Sequence, residues 1–284
     1  MRGAVRSILL GLAALVLLVG LWEGYKAIDG QVLGVALPLK ADDRAMPHVS
    51  TMLERFGDPE SRRSERTVGA TVAASAWYTF QVALGGLAVG CLVGAGLAAV
   101  MQRFGVAERA VLPFVIMSQT VPIVAFAPLV SAWGGKLQLG SGEWQPWMSV
   151  AMISAFLAFA PITVGLLRGL QAAPPAAVEL MRSLAASSRA TLWKLRLPAA
   201  VPFLIPALRL AAAGAVVGAI VAEISLGRSG GIGRLTFEYS RAATSDPAKV
   251  YVALVGAAAL GLAMALLIGV VDAVAGRGRP GSPA

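Results

Sequence analysis

Cysteine and histidine are nearly absent from this sequence of 284 residues, which holds one of each, Cys91 and His48. Cys91 lies in an apolar run, so cysteine alone can build neither an intramolecular disulfide nor a metal cluster. No Ser/His/Asp, Cys/His or paired-carboxylate pattern occurs, and no G-x-x-x-x-G-K-S/T loop that would cradle phosphates. Catalysis at a substrate bond and nucleotide hydrolysis are therefore not expected of this chain.

Charged residues are also scarce, at 14% of the chain, whereas hydrophobic residues make up 57%. A soluble domain of this composition would aggregate. The apolar residues form repeated runs close to the ~20 residues that cross a ~30 Å hydrocarbon core as a helix. The sequence therefore predicts an all-α, polytopic integral membrane protein.

Six runs are apolar enough to be membrane-spanning helices. The predicted spans are, approximately, Ser7–Trp22, Ala76–Met101, Val111–Trp133, Trp147–Leu167, Phe203–Ile224 and Val250–Val274. A basic start before the first run is also a feature of signal peptides, but this run ends in the aromatic and charged segment 22–26 rather than in small residues. We expect the first helix to be retained.

Glycine and proline indicate packing and bending within these spans. Gly86, Gly90 and Gly94 recur every four residues, which lets another helix approach closely. Pro122 predicts a kink in the third span, and Pro161 predicts a break in the fourth, because proline removes a backbone donor.

The segment from Glu23 to about Ser75 is polar and predicts an external region. Apolar residues at helical spacing from Val49 to Phe56 predict a short amphipathic helix within it. A second external loop is expected over Ser225 to Lys249.

Lys and Arg divide equally between the two sides, but those on the side of the termini lie in shorter segments, which favours cytoplasmic termini. The net charge of +9 then lies almost wholly on the inner face, where anionic lipid explains it better than nucleic acid.

A long polar stretch, Gln171–Pro202, interrupts the apolar second half of the chain. Pro174-Pro175 suits the first turn of a helix over AAVELMRSL. Ser187 or Ser188 can cap a second helix, which is expected to stop before Pro198. The sequence therefore predicts two short helices joined by a rigid turn, which we call the knuckle. The knuckle comprises Ala185, Ala186 and Ser187.

This stretch resembles a loop in the membrane subunits of ATP-binding-cassette (ABC) importers, which reads E-A-A, three residues, G, nine residues, then I-x-L-P. Glu179 stands at the acidic position, Ala185 at the glycine, and residues 195–198 read LRLP, without a gap. Leu180-Met181 replaces the two alanines. Ala185 is the larger departure, because glycine tolerates positive φ and other residues are strained there. The turn is therefore where a difference from the family is expected.

The following sequence resembles one importer subfamily, which serves nitrate, sulfonates, taurine, bicarbonate and thiamine- or riboflavin-type precursors. The resembling segments are Pro202–Leu210, Ala222-Glu223-Ile224 and Gly230-Gly231-Ile232-Gly233. The resemblance implies a homodimer that forms one path, two separate ATPase subunits that hold ATP and Mg²⁺, and an extracytoplasmic solute-binding protein. It implies no cofactor in this chain. The domains would be a first helix with its external segment (1–75), a permease core (76–274) that contains the coupling loop (171–202), and a cytoplasmic tail (275–284).

Two groups of candidate site residues follow. By the resemblance, the residues that dock on the ATPase are Glu179, Arg182, Ser183, Ala185, Ala186, Leu195, Leu197 and Pro198, with Arg189, Lys194 and Arg196 available for acidic partners or lipid headgroups. Those expected along the path or its gate are Gln119, Thr120, Pro122, Gly214, Gly218 and Glu223. The resemblance places Glu223 at the outer gate, whereas helix packing explains Gly214 and Gly218 equally well.

A secondary transporter driven by an ion gradient is the main alternative, and an intramembrane enzyme is a weaker one. Such transporters often have related halves and ionisable residues at mid-membrane. Here the acidic residues inside predicted spans, Glu223 and Asp272, both lie near the end of their span, and no internal repeat is visible. Co-purification with a separate ATPase would distinguish the three.

Overall fold

The computed structural model describes residues 2–31, 42–43, 45–61, 65–136, 143–227 and 230–276. Every regular element in these residues is helical, which confirms the all-α prediction. The helices are α1 (Arg2–Gln31), α2 (Val49–Gly57), α3 (Val68–Arg103), α4 (Gly105–Ser118), α5 (Ile123–Gly134), α6 (Pro146–Gln171), α7 (Pro175–Ser183), α8 (Ser188–Thr191), α9 (Leu197–Leu226), α10 (Ile232–Arg241) and α11 (Pro247–Gly276). A π-helical turn, Leu192–Arg196, joins α8 to α9.

Five helical segments are long and apolar enough to cross a membrane, namely α1, α3, α6, Ser188–Leu226 and α11. Helices α4 and α5 are long and apolar enough to cross a membrane only when they are taken together. The chain bends by 105° between them. The kink predicted near Pro122 is therefore a full break. Pro122 immediately precedes α5 and cannot donate a backbone hydrogen bond, which explains the position of the break. Counted as one span, the pair brings the total to the six that were predicted.

The chain divides into two compact units, Met1–Ala74 with Leu235–Gly256, and Ser75–Arg234 with Ala257–Ala284. In the second unit, the core is built around α6, which packs against both α3 and α9. A Cβ at Gly86 would lie 2.4 Å from the Cβ of Ser154, and one at Gly94 would lie 2.6 Å from the carbonyl oxygen of Phe159. The glycine spacing of the second predicted span is therefore a helix-contact surface, as expected.

Proline 161 does not break α6, contrary to the prediction, and the helix is continuous from Pro146 to Gln171. Pro161 leaves the carbonyl of Leu157 without its usual helical donor. That carbonyl lies against Gly214 of α9, where a Cβ would be only 3.2 Å from its oxygen. The missing side chain at Gly214 gives the freed carbonyl room within the helix contact.

The first unit contains a polar network that the sequence did not predict. The Glu60 carboxylate accepts hydrogen bonds from the Thr71 hydroxyl at 3.0 Å and the Tyr239 hydroxyl at 3.1 Å. Arg55 of α2 forms an ion pair with Asp246 at 2.8 Å. Burial, followed by the nearby Glu60 carboxylate, raises the pKa of Tyr239 above its usual range. The network ties α2 to the segment that precedes α11.

Two helix boundaries differ from those expected. Helix α1 continues past Trp22 because its charged end has partners, and Glu23 accepts a hydrogen bond from the Val49 amide at 2.7 Å. Helix α3 begins at Val68 rather than near Ala76, because the Thr67 hydroxyl accepts from the Ala70 amide at 3.2 Å and caps it. The amphipathic helix predicted from Val49 is confirmed as α2.

The predicted loop Ser225–Lys249 contains a helix, α10, that was missed. Buried Ile232, Leu235 and Tyr239 recur along it at helical spacing. The helical spacing of these apolar residues is present in the sequence, but the glycines and charged residues around them favoured the interpretation as a loop.

Candidate functional site

The first helix of the coupling loop begins as predicted. Pro174 is the N-cap of α7 and Pro175 is its first residue, where a missing amide hydrogen costs no helical bond. Helix α7 ends at Ser183, two residues before the knuckle.

The backbone of the knuckle has a left-handed position that is normally occupied by glycine and is here occupied by Ala185. Ala185 has φ of 50° and is the one non-glycine residue with positive φ among the described residues. Its amide donates to the Arg182 carbonyl, and the Ala186 amide donates to the Met181 carbonyl, both at 2.9 Å. These two bonds define a Schellman motif with Ala185 at its left-handed position. The substitution of alanine for glycine therefore leaves the turn in place and introduces backbone strain.

The second helix of the loop begins as predicted and ends differently. The Ser187 hydroxyl accepts from the Ala190 amide at 3.2 Å, so Ser187 is the cap. The helix does not stop before Pro198, however, because the π-helical turn leads directly into α9. There the Leu197 amide donates to the Leu192 carbonyl, five residues earlier, just before the proline that cannot donate. A continuous helical segment of 39 residues, Ser188–Leu226, therefore connects the knuckle to the membrane core.

The base of the loop is packed against the membrane helices. Leu192 and Leu197 contact a buried cluster in the core of the second unit. The cluster comprises Ala98, Met101, Leu166, Leu167, Leu170 and Ala200. Movement of the knuckle would therefore be transmitted to α3, α6 and α9 through direct side-chain contacts.

The outer part of the loop is open. Glu179, Arg182, Ser183 and Pro198 are exposed, whereas Ala186, Leu195 and Leu197 are half-buried. Three large apolar side chains are also exposed on this loop: Leu180, Leu184 and Trp193. An apolar surface with a polar surround is typical of a protein-binding site.

Replacing Ala185 with glycine should stabilise the protein. The left-handed conformation costs a non-glycine residue ~1–2 kcal/mol, part of which glycine returns as greater entropy of the unfolded chain. We expect a gain of about 1 kcal/mol, measured as a higher midpoint of thermal unfolding in detergent.

The matched control is Ala186→Gly, because Ala186 is not among the residues with positive φ. Glycine there should lower the midpoint. Equal effects of the two substitutions would show that the Ala185 turn is not strained.

Glu223 is a second candidate site, and it is 1% exposed, so its carboxyl group does not reach external water. It accepts a hydrogen bond from the Gly233 amide at 2.9 Å, and the Thr79 hydroxyl lies 2.7 Å away. Thr79 in turn accepts from the Ile232 amide at 2.9 Å. These bonds join α3, α9 and the first turn of α10.

Glycine is required beside this carboxyl group. A Cβ on Gly231 would lie 2.0 Å from the Glu223 carboxyl carbon, and one on Gly233 would lie 2.4 Å from the Ile220 carbonyl oxygen. The Gly231-Ile232-Gly233 segment, which the sequence had singled out, thus encloses Glu223. Thr79 was missed, although a lone threonine in an apolar span usually needs a partner.

The remaining path candidates fall into two groups. Gln119, Thr120 and Pro122 are exposed at the break between α4 and α5. Gly214 and Gly218 of α9 instead lie against α6, where a Cβ at Gly218 would be 3.1 Å from the Ile153 carbonyl oxygen. The assignment of these five residues to a path stays a prediction.

A core of membrane-type helices with a two-helix loop at one end is the arrangement expected of a transport permease. Residues 86–279 match the family of binding-protein-dependent transport system inner membrane components. The chain belongs to this family of ABC importer permeases, as its loop motif predicted.

Three curated relatives support the same conclusion. The chain is 34% identical over 148 residues to the formylaminopyrimidine transport permease protein ThiX of Halalkalibacterium halodurans, covering 52% of this chain and 55% of ThiX. It is 31% identical to a probable ABC transporter permease protein of Haemophilus influenzae, and the match covers 63% of this chain and 70% of that protein. It is 28% identical to the riboflavin transport system permease protein RibX of Chloroflexus aurantiacus, covering 58% and 57%. The matches thus span a little over half the length of ThiX and RibX.

The fold also has a solved counterpart. A chain in the crystal structure of an amino acid ABC transporter with histidines superposes with a TM-score of 0.53 at 16% identity. The match covers 73% of this chain and 93% of that one. At this identity the likeness supports the fold alone.

Proposed function

We propose that this chain forms the solute path of an ABC importer together with a second copy of itself. Two ATPase subunits, which hold ATP and Mg²⁺, dock on the coupling loop, and a solute-binding protein delivers solute on the opposite side. The observation that carries the proposal is the knuckle, which is fixed by two hydrogen bonds and exposes apolar side chains to a partner. In this proposal the protein lies in a cell membrane, and the loop and both termini are on its cytoplasmic side.

The solute is a nitrogen heterocycle of the vitamin-precursor class. Support comes from the names of two relatives, which refer to formylaminopyrimidine and riboflavin. Nitrate, sulfonates, taurine and bicarbonate are the other solutes of the resembling subfamily and serve as comparison substrates.

Proteoliposomes that contain this chain, the ATPase and the binding protein test the proposal. We expect uptake of labelled formylaminopyrimidine or riboflavin that requires both ATP and the ATPase, and weaker uptake of taurine or nitrate. Uptake by this chain alone, driven by an ion gradient, would instead identify a secondary transporter.

The path assignment is tested with single cysteines at Gln119 and Thr120 in a Cys91→Ser background. Both side chains are exposed at the break between two helices, so a water-soluble thiol reagent should label them in at least one nucleotide state. Exposed Ser245, replaced by cysteine, is the reactive control. Absence of labelling at both positions in every state, with a reactive control, would place the path elsewhere.

A further inference from the structure

A pocket of about 510 Å³ lies between the C-terminal end of α3 and the coupling loop. Its polar lining is supplied by Gln102, Arg103, Arg182, Ser188, Arg189, Thr191 and Arg196. Four guanidinium groups therefore surround one cavity, and no acidic residue lines it. A cavity of this size is within the range of small-molecule binding sites.

The four arginines lack acidic partners in the part of the chain that the structure describes. The ion pairs there involve other residues, and Glu108, on α4, binds the Gln171 amide. Arg196 has only a long contact, 3.4 Å, to the Leu170 carbonyl, and Arg103 lies over the Phe104 ring. Four like charges around one cavity repel each other, so an anion bound among them would be strongly favoured.

The pocket shares Arg182 and Ala186 with the residues that the resemblance assigns to ATPase docking, but the exposed apolar side chains of the loop do not line it. Val178 and Arg182, four residues apart on α7, line the pocket. Leu180 lies on the opposite face of α7 and is 59% exposed, and Leu184, which directly follows the helix, is 68% exposed. A protein partner is expected on the apolar face, because aromatic and apolar side chains dominate the buried centre of protein interfaces.

The position of the pocket favours a ligand with an apolar tail. Helix α3 is long and apolar enough to span the membrane, and it ends at Arg103, so the pocket lies beside the end of a candidate membrane span. Phe104 and Val106, which follow directly, are 58% and 82% exposed. Basic pockets between membrane helices on the cytoplasmic side bind anionic lipid headgroups. The planar guanidinium group of arginine can donate two hydrogen bonds to the oxygens of one phosphate.

We propose that this pocket binds the phosphate-bearing headgroup of an anionic phospholipid from the inner leaflet. The lipid contacts α3 and the two helices on either side of the knuckle, α7 and α8. Its acyl chains lie along the apolar residues beyond Arg103. Lipid occupancy thereby holds the coupling loop against the membrane core.

The test compares lipid retention by the full-length chain after purification in detergent. The double variant Arg182→Gln/Arg189→Gln removes two exposed arginines, and Arg168→Gln, which removes an exposed arginine outside the pocket and the coupling loop, is the matched control. Phosphatidylglycerol is added in competition with phosphatidylcholine, and bound lipid is counted by native mass spectrometry. We expect the double variant to retain phosphatidylglycerol roughly tenfold less well than wild type, as the loss of charge-assisted hydrogen bonds implies, and Arg168→Gln to match wild type.

Three results would overturn the proposal. The first is equal phosphatidylglycerol retention by wild type and the double variant. The second is full displacement of the lipid by inorganic phosphate, which would identify a site for the free anion. The third is loss of ATPase co-purification in the double variant with lipid retention unchanged, which would assign the pocket to acidic residues of the ATPase.

Discussion

Replacing Ala185 with valine should abolish solute-stimulated ATP hydrolysis while leaving the protein in the membrane. Alanine adopts φ of 50° at this position with moderate strain, but a β-branched residue is a genuine outlier there. The turn must therefore open, and the two hydrogen bonds that fix the knuckle break. Because α8 continues into the membrane core, the angle between α7 and that core would change.

The measurement is ATP hydrolysis by the reconstituted complex with and without loaded binding protein. Stimulation should fall at least about tenfold, since loss of the docked arrangement removes well over the ~1.4 kcal/mol that a tenfold change represents. Ala185→Gly is the control at the same position, because glycine keeps the turn, and it should retain full stimulation. Wild-type stimulation in the valine variant would show that the geometry of the knuckle does not carry the coupling.

Replacing Glu223 with glutamine should preserve the fold and impair transport. The amide oxygen of glutamine can accept from the Gly233 amide, and its NH₂ group can donate to Thr79 Oγ1. The Thr79 hydroxyl would then donate to the Ser75 carbonyl, which is already 3.1 Å away. These contacts leave only one N–H of the new amide without a partner, so the midpoint of thermal unfolding should stay close to that of wild type. Reduced uptake would then report a need for the acidic group itself.

Glu223→Leu is the matched comparison, because it leaves the buried Gly233 amide without an acceptor. An unsatisfied buried donor costs ~1–3 kcal/mol, so this variant should unfold at a lower temperature than the glutamine variant. Wild-type uptake and basal ATP hydrolysis in Glu223→Gln would limit Glu223 to a structural role. A leucine variant as stable as the glutamine variant would contradict the hydrogen-bond network.

The sequence by itself determined the class of this protein and much of its local structure. Long apolar runs require helices in a membrane, because backbone polar groups cannot remain unpaired in hydrocarbon. Local chemistry also located the start of α7 at Pro174-Pro175, limited the next cap to Ser187 or Ser188, and identified Ala185 as the position of strain, because each depends on a few neighbouring residues. The motif around Glu179 predicted the family correctly.

Only the tertiary structure decided which residues meet across the chain. Pro161 was expected to break its helix, and the contact with Gly214 on another helix is what accommodates it. Pro198 was expected to end a helix, and a π-helical turn, anchored by Leu192 on a core drawn from three helices, carries the backbone past it. Thr79 and Glu223 are 144 residues apart, so no local pattern could pair them. The four arginines of the pocket likewise come from α3 and the coupling loop, and only folding brings their charges around one cavity.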